Sequence, residues 1–211
     1  LAPWSMDIYP TEHGNSVELR PRLYPDPRFT YRQDDIPAAS HPPLAACMAR
    51  LAGRVSNEIV WDPFCGSGLE LIECALLGGL QRVYGTDLSP EAVAIARTNF
   101  AAAKVSSIPS NFIRCDFRDF AKVEGLGPNS VTLIITNPPM GRRVRIHNMR
   151  GLFQALFTVA TTVLKPGGRL VFANPLRIEP RHSSLKLNFR KVIDLGGFDC
   201  RLEMYHKLAS Q

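Results

Sequence analysis

A glycine loop joined directly to a strand on one side and to a helix on the other most limits what this chain can be. Asp62-Pro63-Phe64-Cys65-Gly66-Ser67-Gly68 follows the run Glu58–Trp61 and precedes Leu69–Leu77. Glycines at that junction let the backbone turn sharply and approach a ligand with no Cβ in the way. Around the loop, the two kinds of element alternate. Strands are expected at Glu58–Trp61, Arg82–Thr86, Asn111–Cys115, Val131–Thr136 and Arg169–Ala173. Helices are expected at Leu44–Leu51, Leu69–Leu77, Pro90–Ala103 and Leu152–Val163, with a short helical turn after Asp116. Such alternation implies right-handed crossovers and a parallel sheet covered on both faces. Ser89-Pro90-Glu91 supplies an N-cap, a first-turn proline and a first-turn acid. Lys165-Pro166-Gly167-Gly168 ends one helix and turns into the next strand. After Ala173, Arg190–Asp194 and Cys200–Lys207 read as strands joined by Leu195–Asp199, a link short enough for an antiparallel hairpin. The expected fold is α/β and Rossmann-like, a mostly parallel seven-stranded sheet ending in that hairpin.

Residues 1–43 differ in character. They hold eight prolines and read as an extended lead-in with one short strand at Ser16–Arg20. Trp4, Tyr9, Leu23, Tyr24, Phe29 and Tyr31 are expected to lay this segment on the main domain, residues 44–211. The first residue is not Met, so more chain is expected upstream. No apolar run approaches the ~20 residues that a membrane-crossing helix requires. The five cysteines, Cys47, Cys65, Cys74, Cys115 and Cys200, form no CxxC pair; apart from Cys65, they fall in segments that read as core helix or strand. That pattern fits small thiols in a reducing compartment, cytoplasmic or nuclear, and implies neither a disulfide framework nor a metal centre. The formal charge of +6 favours a polyanionic partner.

The loop's chemistry is set by its acid. No GK[ST] follows, which excludes a P-loop, and Gly68 leads into Leu69-Glu70-Leu71-Ile72 rather than a GxGxxG pattern. Asp62 would repel a pyrophosphate and would suit an ammonium or sulfonium. Asp87, 25 positions later at the end of the second strand of the alternation, is placed for both hydroxyls of a ribose, with Leu88 beside it. Asp116, at the end of the third, can accept from an adenine amine while Phe117 packs on the ring. Taken singly, each acid is as readily a cap for a turn. In register with a glycine loop, the three match the amine, ribose and adenine of one ligand.

The fourth strand runs into Asn137-Pro138-Pro139-Met140-Gly141. Together with the glycine loop, this segment resembles the class I S-adenosylmethionine-dependent methyltransferases that act on amino nitrogens, whose motif is Asn/Asp-Pro-Pro followed by an aromatic or large apolar residue. The resemblance implies S-adenosylmethionine as cofactor, held by Asp62, Phe64, Cys65, Gly66, Ser67, Gly68, Asp87, Leu88, Asp116, Phe117 and Asn137. The chemistry explains the residue types. An exocyclic amine is a poor nucleophile, because its lone pair is delocalised into the ring. The Asn137 side-chain oxygen and the Pro138 carbonyl can each accept one N–H, and the prolines hold those acceptors in place. Met140 stands where Tyr or Phe is commoner, so stacking on a base is weaker.

Three further stretches narrow the resemblance: Thr30-Tyr31-Arg32, Ile36 to Ala46 with Ser40-His41-Pro42-Pro43-Leu44 inside it, and Leu71-Ile72-Glu73-Cys74-Ala75. They are similar to the RNA methylase family that includes THUMP-linked tRNA guanine-N2 methyltransferases and related ribosomal RNA enzymes. By that likeness Ser40 and His41 help hold the methionine end of the cofactor. The implied substrate is guanine N2 in tRNA or rRNA, with RNA binding aided by an upstream module or a partner subunit. Arg142, Arg143 and Arg145 form a basic run where phosphates flanking an extruded base would pass. The same Asn-Pro-Pro geometry also serves adenine N6 or a protein glutamine amide. A methyltransferase-fold RNA-binding subunit without catalysis is the reading from another class.

Overall fold

The computed structural model describes residues 4–11, 14–21, 29–36, 40–105, 107–140, 148–181, 183–195 and 199–209. The chain divides into two units, Leu1–Tyr31 and Arg32–Gln211. The first contains an antiparallel hairpin of β1 (Trp4–Thr11) and β2 (Gly14–Pro21), paired from Trp4↔Pro21 to Thr11↔Gly14. The expected strand at Ser16–Arg20 lies inside β2. β1 was not expected, because prolines such as Pro10 lower the strand reading although an edge position tolerates them.

The second unit is the α/β body. Its elements are α1 (Pro42–Ala52), β3 (Glu58–Asp62), α2 (Leu69–Leu77), β4 (Leu80–Asp87), α3 (Pro90–Ala102), β5 (Ser110–Arg114), a 3-10 segment (Phe117–Lys122), β6 (Val131–Thr136), α4 (Met149–Val163), β7 (Leu164–Asn174), β8 (Leu185–Asp194) and β9 (Asp199–Lys207). The sheet order is β5-β4-β3-β6-β7-β9-β8. The strands from β5 to β7 are parallel, and β9 runs antiparallel to both β7 and β8. The expected sheet is therefore present, with β8 longer than Arg190–Asp194. Its link to β9 at residues 196–198 lies outside the described residues.

Strand order decides where the helices go. From β3 the chain steps outward through β4 to β5, so α2 and α3 share one face with α1; from β6 it steps the other way, and α4 covers the opposite face. A right-handed crossover reverses faces when its direction reverses. The reversal falls between β3 and β6, the place where open α/β sheets bind ligands beyond their strand ends. Asp62 ends β3 and Asn137 follows β6, so the two residues flank that point.

Local chemistry explains the elements. The inner strands are buried on both faces, with Val60, Trp61, Ile134, Ile135, Val171 and Phe172 fully enclosed. The face under α4 is aromatic: Phe157 meets Phe172 edge-on at 5.5 Å and Tyr205 at 5.8 Å. Ser89 caps α3 by accepting from Ala92 N–H at 3.2 Å, and Asn148 caps α4 from Gly151 N–H at 2.8 Å. Lys165–Gly168 bulge out of β7 between the pairs Val131↔Leu164 and Leu133↔Arg169, which accommodates both the expected turn and a strand that starts earlier. Cys65, Cys74 and Cys200 are buried free thiols; Cys47 is exposed on α1, not in the core as expected, and Cys115 is half-buried. No described helix is long and apolar enough to cross a membrane.

Gly85 in β4 is required by its neighbour. It pairs with Phe112, and a Cβ there would lie 2.5 Å from the Phe112 ring and 3.1 Å from Cys65 Cβ. Gly85→Ala should destabilise the fold by about 1–3 kcal/mol through overpacking, read as a lower denaturation midpoint; an unchanged midpoint would show that Phe112 does not need that space.

Candidate active site

The glycine loop is held from three directions. Cys65 N–H donates to Thr86 O at 2.9 Å, and Gly66 N–H donates to Asp87 Oδ2 at 3.0 Å, so the end of β4 fixes the loop after β3. Thr86 Oγ1 donates to Pro63 O at 3.2 Å and accepts from Trp61 Nε1 at 3.1 Å. From α3, Asn99 uses every position of its amide: Nδ2 donates to Asp34 O and Ser67 O, and Oδ1 accepts from Gln33 N–H and Asp34 N–H. Fully satisfied and fully buried, Asn99 is a rigid clip between residues 33–34 and the loop. Gly66 and Gly68 have φ of 50° and 84°. At Gly66 a Cβ would touch Ile36 Cδ1 at 3.6 Å, ordinary contact, so the positive φ and not crowding calls for glycine there; at Gly68 a Cβ would press on Ala96 at 3.2 Å, so that glycine serves packing.

Buried polar atoms without a partner are rare, and each costs about 1–3 kcal/mol. Among the described residues five such side-chain atoms occur, and four of them lie at the ends of β3 and β6 and in the glycine loop: Asp62 Oδ2, Ser67 Oγ, Thr136 Oγ1 and Asn137 Oδ1. So concentrated a cost marks a surface shaped for a ligand.

The carboxylates say which charge that ligand carries. Five are buried among the described residues: Glu58, Asp62, Glu70, Glu73 and Glu203. Glu58 pairs with Arg169, Glu73 with Arg50 at 3.7 Å, and Glu203 with Arg190 at 2.6 Å. Asp62 and Glu70 have no ion pair among the described residues. Asp62 Oδ1 accepts from Phe64 N–H at 3.0 Å. Burial, then Glu70's charge, pushes the Asp62 carboxyl well above its ordinary range; the Thr136 hydroxyl and the Phe64 N–H oppose this, and Asp87 adds to it. The Thr136 hydroxyl is near enough to act on Asp62, yet neither it nor Oδ2 makes a hydrogen bond of normal geometry. Burial likewise raises Glu70, opposed by the Ser40 hydroxyl. Two neighbouring buried acids without a cation fit an ammonium or sulfonium, the groups carried by S-adenosylmethionine. Burial, followed by the charges of Asp62, Asp87 and Glu70, pushes the Cys65 thiol well up, so it stays neutral and is no nucleophile.

The remaining expected residues fall around this centre. Asp87 sits at the end of β4, with Oδ1 accepting from Ser89 N–H at 2.9 Å, and Leu88 beside it is 64% exposed, an apolar rim. Phe64 and Phe117 stack at 4.8 Å, tilted 52°. Asp116 caps the 3-10 segment through Arg118 N–H and pairs with the Arg118 guanidinium at 2.9 Å, so its carboxylate is already engaged. His41 is exposed; its carbonyl accepts from Leu44 N–H at 2.8 Å, and its side chain caps nothing. Pro138 is buried, and Pro139 and Met140 are half-buried. Ser40 joins Asn137 to Glu70: its Oγ accepts from Asn137 Nδ2 at 2.9 Å and donates to Glu70 Oε1. Glu70 and Asn99 were not expected to matter. A first-turn acid reads as a helix-dipole partner, and only the poor helix propensity of Asn inside α3 hinted at a role. Arg142, Arg143 and Arg145 lie outside the described residues.

Known proteins match this body. A family model described as "RMKL-like, methyltransferase domain" matches residues 30–194. A tRNA (guanine(10)-N2)-dimethyltransferase of Methanothermobacter thermautotrophicus is 32% identical over 166 residues, 78% of this chain and 44% of that protein. The chain thus spans less than half the length of that relative. TrmN from Thermus thermophilus superposes with a TM-score of 0.65 at 26% identity, covering 86% of this chain and 52% of that one. An RNA methyltransferase from Salinibacter ruber, solved in complex with S-adenosyl-L-homocysteine, shares the fold with a TM-score of 0.59 at 18% identity, covering 82% of this chain and 96% of that one.

A carboxyl raised on folding favours the fold while it is neutral; that contribution is whole below the unfolded value and is lost as pH rises through the folded one. Asp62→Asn keeps the Phe64 bond and removes the charge. The variant should therefore melt higher than wild type at alkaline pH, with the difference vanishing in acid, while binding S-adenosylmethionine about tenfold or more weakly for want of the charge partner. Thermal melts across pH and calorimetry check both halves; undiminished affinity would remove Asp62 from the binding site.

Proposed function

The chain belongs to the family of RMKL-like methyltransferase domains, and from that premise we propose that it transfers a methyl group from S-adenosylmethionine to an exocyclic amine of an RNA base, guanine N2 in tRNA or rRNA. The observation that carries the reading is Asn137 Oδ1, a buried acceptor at the switch point without a partner among the described residues, beside Asp62 and Glu70, which have no ion pair among those residues.

When bound, the cofactor supplies a methyl already activated as a sulfonium, so the protein needs no metal or covalent intermediate for the transfer. Asp62 faces its positive charge, and Asp87 and Leu88 take the ribose and adenine side. Asn137 Oδ1 accepts one N–H of the target amine and the Pro138 carbonyl accepts the other, which holds the nitrogen's lone pair toward the methyl. Each acceptor also polarises the N–H it holds, easing loss to water of the proton that the methylated nitrogen must shed. Pro138 and Pro139 stiffen the segment, and Met140 packs on the base face. The base reaches this cleft unstacked or unpaired.

The substrate class draws on two supports: the name of the archaeal relative and the basic run Arg142, Arg143 and Arg145, which suits phosphates beside an extruded base. Adenine N6 and a glutamine amide present the same planar NH₂ and are outcomes of the test.

Asn137→Ala should lower kcat by roughly a hundredfold or more, as for loss of one transition-state hydrogen-bond partner, with cofactor affinity kept. Labelled methyl transfer to total tRNA and rRNA, followed by nucleoside analysis, should place the label on N2-methylguanosine. Label on N6-methyladenosine or on protein would overturn the substrate, and equal turnover of the variant would overturn the role of Asn137.

A further inference from the structure

An asparagine amide has an accepting end and a donating end of almost the same shape. A methyltransferase that grips an NH₂ needs the accepting end in front, because the other end would set two donors against each other. We propose, resting on the function proposed above, that Glu70 is the positioning residue that fixes this choice, acting through Ser40.

The polarity of the chain of bonds follows from proton counting. A carboxylate accepts only, so Glu70 Oε1 takes the single hydroxyl proton of Ser40. With its proton spent, Ser40 Oγ can only accept from Asn137, and it does so from Nδ2 at 2.9 Å. Oδ1 is then left facing away from Ser40, buried and without a partner. Reverse the amide and Ser40 would need a second proton, while Nδ2 would point into the cleft. The assignment thus depends on one negative charge two bonds away.

Glu70 is placed for this work. It is the second residue of α2, 3% exposed, where the positive end of the helix helps carry its charge. Burying a glutamate without an ion pair is costly, and the other three buried glutamates have arginine partners. Its recorded side-chain bond is to Ser40, which also opposes the rise that burial imposes on its carboxyl. A purely structural role, tying Ser40 to α2, would need no charge and would have no link to Asn137.

The test is a double-mutant cycle. Glu70→Gln keeps shape but lets the amide donate as well as accept, so Ser40 loses its fixed polarity. In the wild-type background, measured at saturating S-adenosylmethionine, it should lower kcat by roughly tenfold, within the usual range of coupling between residues of one network, with KM for RNA within about twofold. In an Asn137→Ala background it should cost nothing more. Equal losses in both backgrounds would overturn the proposal, since Glu70 would then act without Asn137. A second readout needs no turnover: the Asn137 side-chain NH₂ signal in ¹⁵N spectra, identified by its loss in Asn137→Ala, should be protected from exchange in wild type and lose protection in Glu70→Gln and in Ser40→Ala. Unchanged protection in both variants would also overturn it. If Asn137→Ala itself left kcat intact, the fault would lie with the function proposed above; the exchange readout would still decide whether Glu70 orients the amide.

Discussion

Two neighbouring buried acids, Asp62 and Glu70, with no ion pair among the described residues, are the constraint on which the rest of this molecule turns. Asp62 and Glu70 lie at opposite ends of the glycine loop, one closing β3 and the other in the first turn of α2. Three other buried acids in the same body are balanced by arginines, so the fold can neutralise a charge where only stability is at stake. Here it does not. The imbalance is tolerable because ligand binding can return what folding gives up, a pattern common where a site is built ahead of its occupant.

The sheet makes the imbalance useful. Its order reverses between β3 and β6, which brings the glycine loop next to the Asn137 segment. In the proposed reaction, donor and acceptor of the methyl group would meet there through topology. Asp87 and Asn99 lock the loop from neighbouring elements, and Ser40 ties Asn137 to the first turn of α2 through Glu70. These bonds tie backbone and amide groups of several elements together, and oriented dipoles held in that way contribute most to a transfer step.

Much of this was legible in the residues. The alternation of apolar runs placed nearly every strand and helix of the body, and Asp62 and Asn137 do flank the point where the strand order reverses. What escaped were side-chain partnerships between segments far apart in sequence. Ser40, assigned by resemblance to the cofactor's methionine end, spends its hydroxyl on Glu70 and Asn137, the latter 97 positions away. Asn99 reaches back 65 positions to Asp34. Neither bond has a period or a spacing rule. Glu70 was hidden for another reason: a first-turn acid has an ordinary explanation in the helix dipole, and only its burial shows that the ordinary explanation falls short. Asp116, expected to meet adenine, also holds a partner no spacing rule gives, the Arg118 guanidinium.

The central claim, that a cationic ligand completes the Asp62 and Glu70 pocket, has a direct thermodynamic signature. The Asp62 carboxyl, raised by burial and by Glu70's charge, must release its proton when a positive charge settles beside it. Calorimetry of S-adenosylmethionine binding in buffers of different ionisation enthalpy, between about pH 5 and pH 8, measures that release. Binding should release net protons from the wild-type protein and none once Asp62 is replaced by Asn. Tight binding with no proton release at any pH in that span would contradict it.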